Sequence, residues 1–174
     1  MTDSQLIQRI VDTALLRGEF TLRSGRKSSY YLDKYLFQTQ PDILAELGKR
    51  IAARIDDSVD RLAGAALGGV PLVAATSMAS GKPAIFIRAQ KKDYGTARQI
   101  EGLLESGDRV LLVEDVATTG GQVLEAAVLL QNAGAKVVKI VAVIDREEGA
   151  RQNIETAGLV FDALLSRGDL GIKS

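Results

Sequence analysis

Cysteine, histidine and tryptophan are all missing from this chain of 174 residues, and proline occurs only three times. Without cysteine there is no disulfide framework and no thiolate metal site. The lack of histidine removes the Ser-His-Asp and Cys-His nucleophile systems and imidazole ligation of metals together. Acid and base work is left to Asp, Glu, Lys or Tyr. Aromatic residues make up only 5% of the chain, so the 46% hydrophobic content rests on Ala, Val, Leu and Ile. Such small and branched residues suit helices packed on a central sheet. No apolar run reaches the roughly 18 residues of a membrane span, and the first ten residues lack the basic start and apolar stretch of a secretory signal. The expected location is cytoplasmic, with no membrane partner.

Charge is balanced, 22 basic against 22 acidic side chains, which argues against a basic nucleic-acid-binding surface. Its local distribution is uneven. Residues 23–34 hold Arg23, Arg26, Lys27 and Lys34 against Asp33, and residues 82–98 hold Lys82, Arg88, Lys91, Lys92 and Arg98 against Asp93. Both stretches are candidates to face an anion.

The length fits one domain spanning residues 1–174. Leu6, Ile7, Ile10, Val11, Ala14 and Leu15 recur at helical spacing, predicting a helix over residues 4–17 with Gly18 as its C-terminal cap. Residues 20–33 read as a hairpin or loop pair around Gly25. Pro41 opens a second amphipathic helix reaching Ile55. Strands are then expected at residues 61–67, 84–88, 109–113, 136–144 and 159–164, with helices at 71–80 and 122–133. The βαβα order predicts an α/β fold, a parallel sheet flanked by helices, with ligands at the carboxyl ends of its strands. Residues 89–108 form a long stretch of little apolar periodicity, and a loop of that length in a compact domain is usually functional or disordered.

The chemistry concentrates in residues 110–122, Val-Leu-Leu-Val-Glu-Asp-Val-Ala-Thr-Thr-Gly-Gly-Gln. Glu114 and Asp115 emerge from an apolar strand, where paired carboxylates accept hydrogen bonds from vicinal hydroxyls such as those of a ribose, and attract a divalent cation. Val116, Ala117, Thr118, Thr119, Gly120 and Gly121 make a tight turn into a helix, whose hydroxyls, free N–H groups and dipole suit a phosphate monoester. Neither the Walker spacing nor the dinucleotide glycine spacing occurs.

This pattern resembles the type I phosphoribosyltransferases. Four further blocks, in order along the chain, narrow the resemblance to the orotate phosphoribosyltransferases: Phe-Thr-Leu-Arg-Ser-Gly-Arg-Lys-Ser-Ser-Tyr-Tyr at 20–31, Leu-Gly-Gly-Val-Pro at 67–71, the loop at 88–96, and Asp-Arg-Glu-Glu-Gly at 145–149. The resemblance implies a type I phosphoribosyltransferase-like fold with residues 1–37 contributing a hood over the base and residues 89–108 a mobile loop. It implies that phosphoribosyl pyrophosphate is held by Gly68, Gly69, Arg88, Lys91, Lys92, Tyr94 and the 114–121 segment, with Lys92 and Asp115 catalytic. Orotate would meet Arg23, Tyr31, Leu32, Thr118 and Arg146. Magnesium would be held mainly through substrate, and the loop would be shared across a homodimer. Many members carry lysine where Ala89 stands, histidine where Tyr94 stands, and some a Tyr-Lys pair where Leu67 and Gly68 stand. Two alternatives remain at this point: a phosphoribosyltransferase for another base, and a regulator that senses phosphoribosyl pyrophosphate without transferring it.

Overall fold

The computed structural model describes residues 1–21, 25, 27–90 and 99–172. Helix α1 (Asp3–Ala14) opens with a capping box: the Thr2 hydroxyl accepts from the Gln5 N–H and the Gln5 side chain accepts from the Thr2 N–H. Its buried residues Leu6, Ile10 and Ala14 recur every fourth position and form one stripe. The helix stops at Ala14, short of the expected Arg17. Leu15 already pairs with Leu32 in an antiparallel hairpin of β1 (Leu15–Thr21) and β2 (Lys27–Leu32), so the ladder wins over helical periodicity. Gly18 is therefore no helix cap; it sits at φ +153° in β1, where the register shifts between Arg17 and Phe20.

A short helix α2 (Lys34–Gln38), not foreseen from periodicity, begins at Asp33, whose side chain accepts from the Tyr35 N–H. Helix α3 (Pro41–Ala52) starts on its proline as expected. It lies so close to α4 (Gly69–Ser80) that a β-carbon on Gly48 would meet Ala75 carbonyl carbon at 2.7 Å. The remaining elements are β3 (Arg61–Ala65), β4 (Ala84–Ile87), β5 (Ile100–Glu101), β6 (Arg109–Ala117), α5 (Gly121–Asn132), β7 (Lys136–Asp145), α6 (Ala150–Thr156) and β8 (Phe161–Ser166). Strand β5 falls inside the stretch read as structureless, and α6 was not anticipated because only Ala150 and Ile154 of its seven residues are buried.

The main sheet has the order β5-β4-β3-β6-β7-β8 and is parallel except for β5. Helices cover both faces, which explains the nearly continuous apolar runs of β6 and β7. Successive residues of β6 feed opposite cores: Leu111 and Val113 pack with α1, α3 and α4, while Val110 and Leu112 pack with α5 and α6. From β3 the chain proceeds to β4 on one side, and from β6 to β7 and β8 on the other. The order thus reverses between β3 and β6, where a crevice opens beyond the carboxyl ends of the strands. None of the helices formed by described residues is long and apolar enough to cross a membrane.

Candidate active site

Strand β6 was expected to end at Val113, with the carboxylates just beyond it. It runs on to Ala117, because β7 continues to pair with it through Glu114↔Ala142, Val116↔Ile144 and Ala117↔Asp145. On the other side β3 pairs no further than Gly64↔Val113. Glu114 and Asp115 are therefore held in strand geometry by one neighbour and open to the crevice on the other.

A cavity of about 360 Å³ fills this crevice, its walls including Lys34, Leu67, Gly68, Arg88, Glu114 and Asp115. The end of β3 and the turn after it, residues 65–68, supply its floor, with a cis peptide between Ala66 and Leu67. Gly64 lets the turn fold back on its own strand: a β-carbon there would lie 2.4 Å from the Gly69 carbonyl oxygen. Gly68 lets Asp115 approach. A β-carbon on Gly68 would lie 1.4 Å from Asp115 Oδ2.

Asp115 is 1% exposed. Its Oδ1 accepts from the Val116 N–H at 2.6 Å, and its Oδ2 lies 2.7 Å from Lys34 Nζ. That second contact is a short ammonium–carboxylate ion pair. Burial alone pulls the Lys34 ammonium down, but its contact with Asp115 outweighs this and the net shift is upward. Glu114 moves the other way for a carboxyl: burial, then the adjoining Asp115, push it up to about 8.

A second cavity, about 290 Å³, shares Glu114, Gln122 and Glu125 with the first and is lined by residues 116–123. Gly120, at φ +82°, turns the chain into α5, and no side chain caps that helix. Its first N–H groups thus face the cavity without a capping acceptor, beside the Thr118 and Thr119 hydroxyls. The turn is held by the loop before α6 and by α6 itself: the Arg146 N–H donates to Ala117 O at 2.9 Å, the Ala150 N–H to Thr118 O at 3.0 Å, and Asn153 Nδ2 to Thr119 O at 2.8 Å. A sugar placed against the acidic pair would reach an anion at this turn with one end and the Gly68 floor with the other.

Of the residues singled out from sequence, Gly68, Arg88, Glu114, Asp115 and residues 116–121 line one or both cavities. Gly69 starts α4 behind the floor, buried beneath it. The Arg146 guanidinium is paired with Glu148 at 2.9 Å, next to the anion turn through its backbone. Tyr31 lies on β2, 44% exposed with its ring 5.7 Å from that of Phe20, and Leu32 packs partly into the core; neither lines the two cavities. Arg23, Lys91, Lys92 and Tyr94 lie outside the described residues. The residues flanking the 91–98 segment meet at the cavity mouth, where the Arg88 N–H donates to Gln99 O at 2.9 Å and Gln99 Nε2 returns a bond to Arg88 O at 3.0 Å. Sequence reasoning did not single out Lys34, Asn153 or Gln99. Lys34 stood in a cationic stretch, but nothing local distinguishes it from Lys27.

The phosphoribosyl transferase domain family matches residues 37–162. An orotate phosphoribosyltransferase of Natronomonas pharaonis is 43% identical over 171 residues, 98% of each chain. Another, of Halobacterium salinarum, is 48% identical over 153 residues, 88% of this chain and 87% of the relative. Among solved structures, the Mycobacterium tuberculosis orotate phosphoribosyltransferase in complex with 5-phospho-alpha-D-ribosyl 1-diphosphate superposes with a TM-score of 0.82 at 32% identity, covering 97% of this chain and 98% of that one. The Aeropyrum pernix orotate phosphoribosyltransferase superposes with a TM-score of 0.81 at 28% identity over 100% of both chains. With its acidic pair, anion turn and glycine floor gathered at one switch point, and with these relatives spanning nearly its whole length, the chain belongs to the phosphoribosyltransferase family, among the orotate phosphoribosyltransferases.

Proposed function

We propose that the chain transfers 5-phosphoribosyl from phosphoribosyl pyrophosphate to orotate, giving orotidine 5'-monophosphate and pyrophosphate, a step of pyrimidine nucleotide synthesis. The observation that carries the reading is the continuity of the two cavities through Glu114. One wall offers carboxylate acceptors for ribose hydroxyls, the next offers the N-terminus of α5 for the 5-phosphate, and the floor at Gly68 admits the diphosphate.

In the reaction the bond from the anomeric carbon to the diphosphate oxygen breaks, and a bond to a ring nitrogen of orotate forms. Orotate gives up the ring proton and pyrophosphate leaves with the bonding pair. The anomeric carbon gains positive character, so the protein's work is to position the anionic base and to stabilise departing charge. Glu114 and Asp115 would fix the sugar by its hydroxyls, Thr118 to Gly121 would hold the phosphate, and Arg88 with Lys91 and Lys92 would face the leaving diphosphate. Arg146 would exchange Glu148 for the orotate carboxylate, a planar anion matched to a guanidinium fork. Arg23 and the hood strand carrying Tyr31 and Leu32 would cover the base, and Lys92 and Tyr94 would close the site against water.

Magnesium fits the donor set: two adjacent carboxylates offer hard oxygens beside a diphosphate floor, and this cation is commonly held by one or two carboxylates plus substrate phosphates. When bound it would neutralise the diphosphate. Residues 1–174 would act as one domain with the hood at 1–37, in the cytoplasm where the charged substrates are dissolved. A homodimer would share the 89–108 loop between its subunits; the apolar groove between α3 and α4, lined by Leu44, Ala75 and Met78, where Met78 is 88% exposed, offers a face for a second copy.

The test is a magnesium-dependent assay with phosphoribosyl pyrophosphate and a panel of bases, following loss of orotate absorbance. Turnover of orotate is expected. Turnover of a purine or uracil without orotate would overturn the substrate. Tight binding of phosphoribosyl pyrophosphate with no transfer to any base would favour a sensing regulator.

A further inference from the structure

The floor that faces the diphosphate carries no cation of its own, since residues 65–68 read Ala-Ala-Leu-Gly. Among the described residues lining the cavity, the cationic side chains are Arg88 and Lys34. Arg88 reaches Glu101 at 3.5 Å on the loop side. Lys34 enters from the opposite side, as the first residue of α2, directly after the hood strand.

Two features place the Lys34 ammonium at the corner between sugar and diphosphate. It lies 2.7 Å from Asp115 Oδ2. That same oxygen abuts Gly68, at the floor of the cavity. The Lys34 side chain is 34% exposed, so its flexible stem has room to turn. Ribose hydroxyls arriving at Asp115 would compete with the ammonium for this oxygen, and would release it beside the diphosphate oxygens.

We propose that Lys34 is a diphosphate-binding residue that passes its ion pair from Asp115 to the substrate's diphosphate when the sugar docks. This rests on the phosphoribosyl pyrophosphate site described above. Because Lys34 directly follows β2 and Asp33, the exchange also ties the position of the hood to occupancy of the diphosphate subsite.

The experiment is calorimetric binding of magnesium pyrophosphate, phosphoribosyl pyrophosphate and ribose 5-phosphate to the wild-type chain, Lys34→Met and Lys34→Arg. Lys34→Met is expected to weaken phosphoribosyl pyrophosphate by about ten- to a hundredfold, the range for one charge-assisted hydrogen bond, and not to weaken ribose 5-phosphate or, with no sugar to release the ammonium, magnesium pyrophosphate. Lys34→Arg should recover most of the loss. Wild-type affinity of Lys34→Met for phosphoribosyl pyrophosphate would overturn the proposal, as would tighter binding, which would make the lysine a competitor, and an equal loss for magnesium pyrophosphate alone, which would remove the sugar as the trigger. Should Lys34→Met fail to fold, acetylation of Lys34 in the native wild type decides: stronger protection by phosphoribosyl pyrophosphate than by ribose 5-phosphate supports the exchange, and equal or increased reactivity overturns it. Neither readout uses orotate. A wild-type chain that binds no phosphoribosyl pyrophosphate fails the functional reading, whereas one that binds it with Lys34 indifferent fails this proposal alone.

Discussion

Gly68→Ala adds a single methyl group where the floor of the site meets its buried carboxylate. The backbone there has φ −66° and ψ −31°, open to any L-residue, so the substitution carries no conformational penalty and its effect is steric. The new carbon would lie 1.4 Å from Asp115 Oδ2 and 2.5 Å from Cγ. Non-bonded atoms settle at about 3.5 Å, so the carboxylate must retreat by about 2 Å or the turn must lift. Retreat strains the 2.6 Å bond from the Val116 N–H and the 2.7 Å pair with Lys34. Overpacking of this kind costs about 1–3 kcal/mol, and a charge-assisted hydrogen bond lost to substrate about 1.5–3 kcal/mol. The expected variant has kcat/KM for phosphoribosyl pyrophosphate lowered about ten- to a hundredfold, a smaller change in KM for orotate, and a Tm about 2–10 °C lower. Initial rates with phosphoribosyl pyrophosphate varied at saturating orotate, with a thermal melt, measure all three. Wild-type kcat/KM and Tm together would refute the contact and the role of Asp115 argued from it.

Glu114 makes a pH signature. Its folded carboxyl titrates at about 8 against an ordinary 4.5, so between these values the folded chain holds a proton that the unfolded chain has released. The stability this proton confers is full below about pH 4.5 and is lost as pH rises to about 8; Tm should therefore fall from pH 6 to pH 9, and a Tm that is flat or rising would refute the assignment. No histidine titrates in that window, and the carboxylates of Asp42, Glu46, Asp56, Asp108 and Asp169 are shifted down and act at acid pH. Charged acceptors serve ribose hydroxyls best, so kcat/KM for phosphoribosyl pyrophosphate should rise through the same window, and Glu114→Gln should flatten it. Arg146→Met is expected to raise KM for orotate about ten- to a hundredfold with little change for phosphoribosyl pyrophosphate; equal effects on both substrates would remove the guanidinium from base recognition. Lys92→Ala should slow turnover at least about tenfold while the melt holds, and an unchanged rate would exclude it from catalysis.

The alternation of Val110, Leu111, Leu112 and Val113, followed by two carboxylates and a Thr/Gly turn, is local information, and local physics reads it: an apolar strand, acceptors, then free N–H groups at a helix start. The helices at α3, α4 and α5 were legible for the same reason, since periodicity and caps sit within a few residues of each other. Misreadings arose where a distant partner decided. Leu15 looked helical until Leu32 paired with it, and Glu114 to Ala117 looked like a loop until β7 extended the ladder alongside. The two residues of β5 form a strand only because β4 lies beside them.

By itself the sequence determined a parallel α/β chain with a sugar-phosphate motif at residues 110–122, because hydrophobic period and turn chemistry are properties of neighbouring residues. Tertiary structure alone decided that Gly68 and Lys34 meet Asp115. Parallel pairing of β3 with β6 brings the floor turn against the acidic pair, and the packing of α1 and α2 on the sheet carries Lys34 across to it. In that arrangement the buried Asp115 acquires a cation, and burial with the adjoining Asp115 raises Glu114 to about 8.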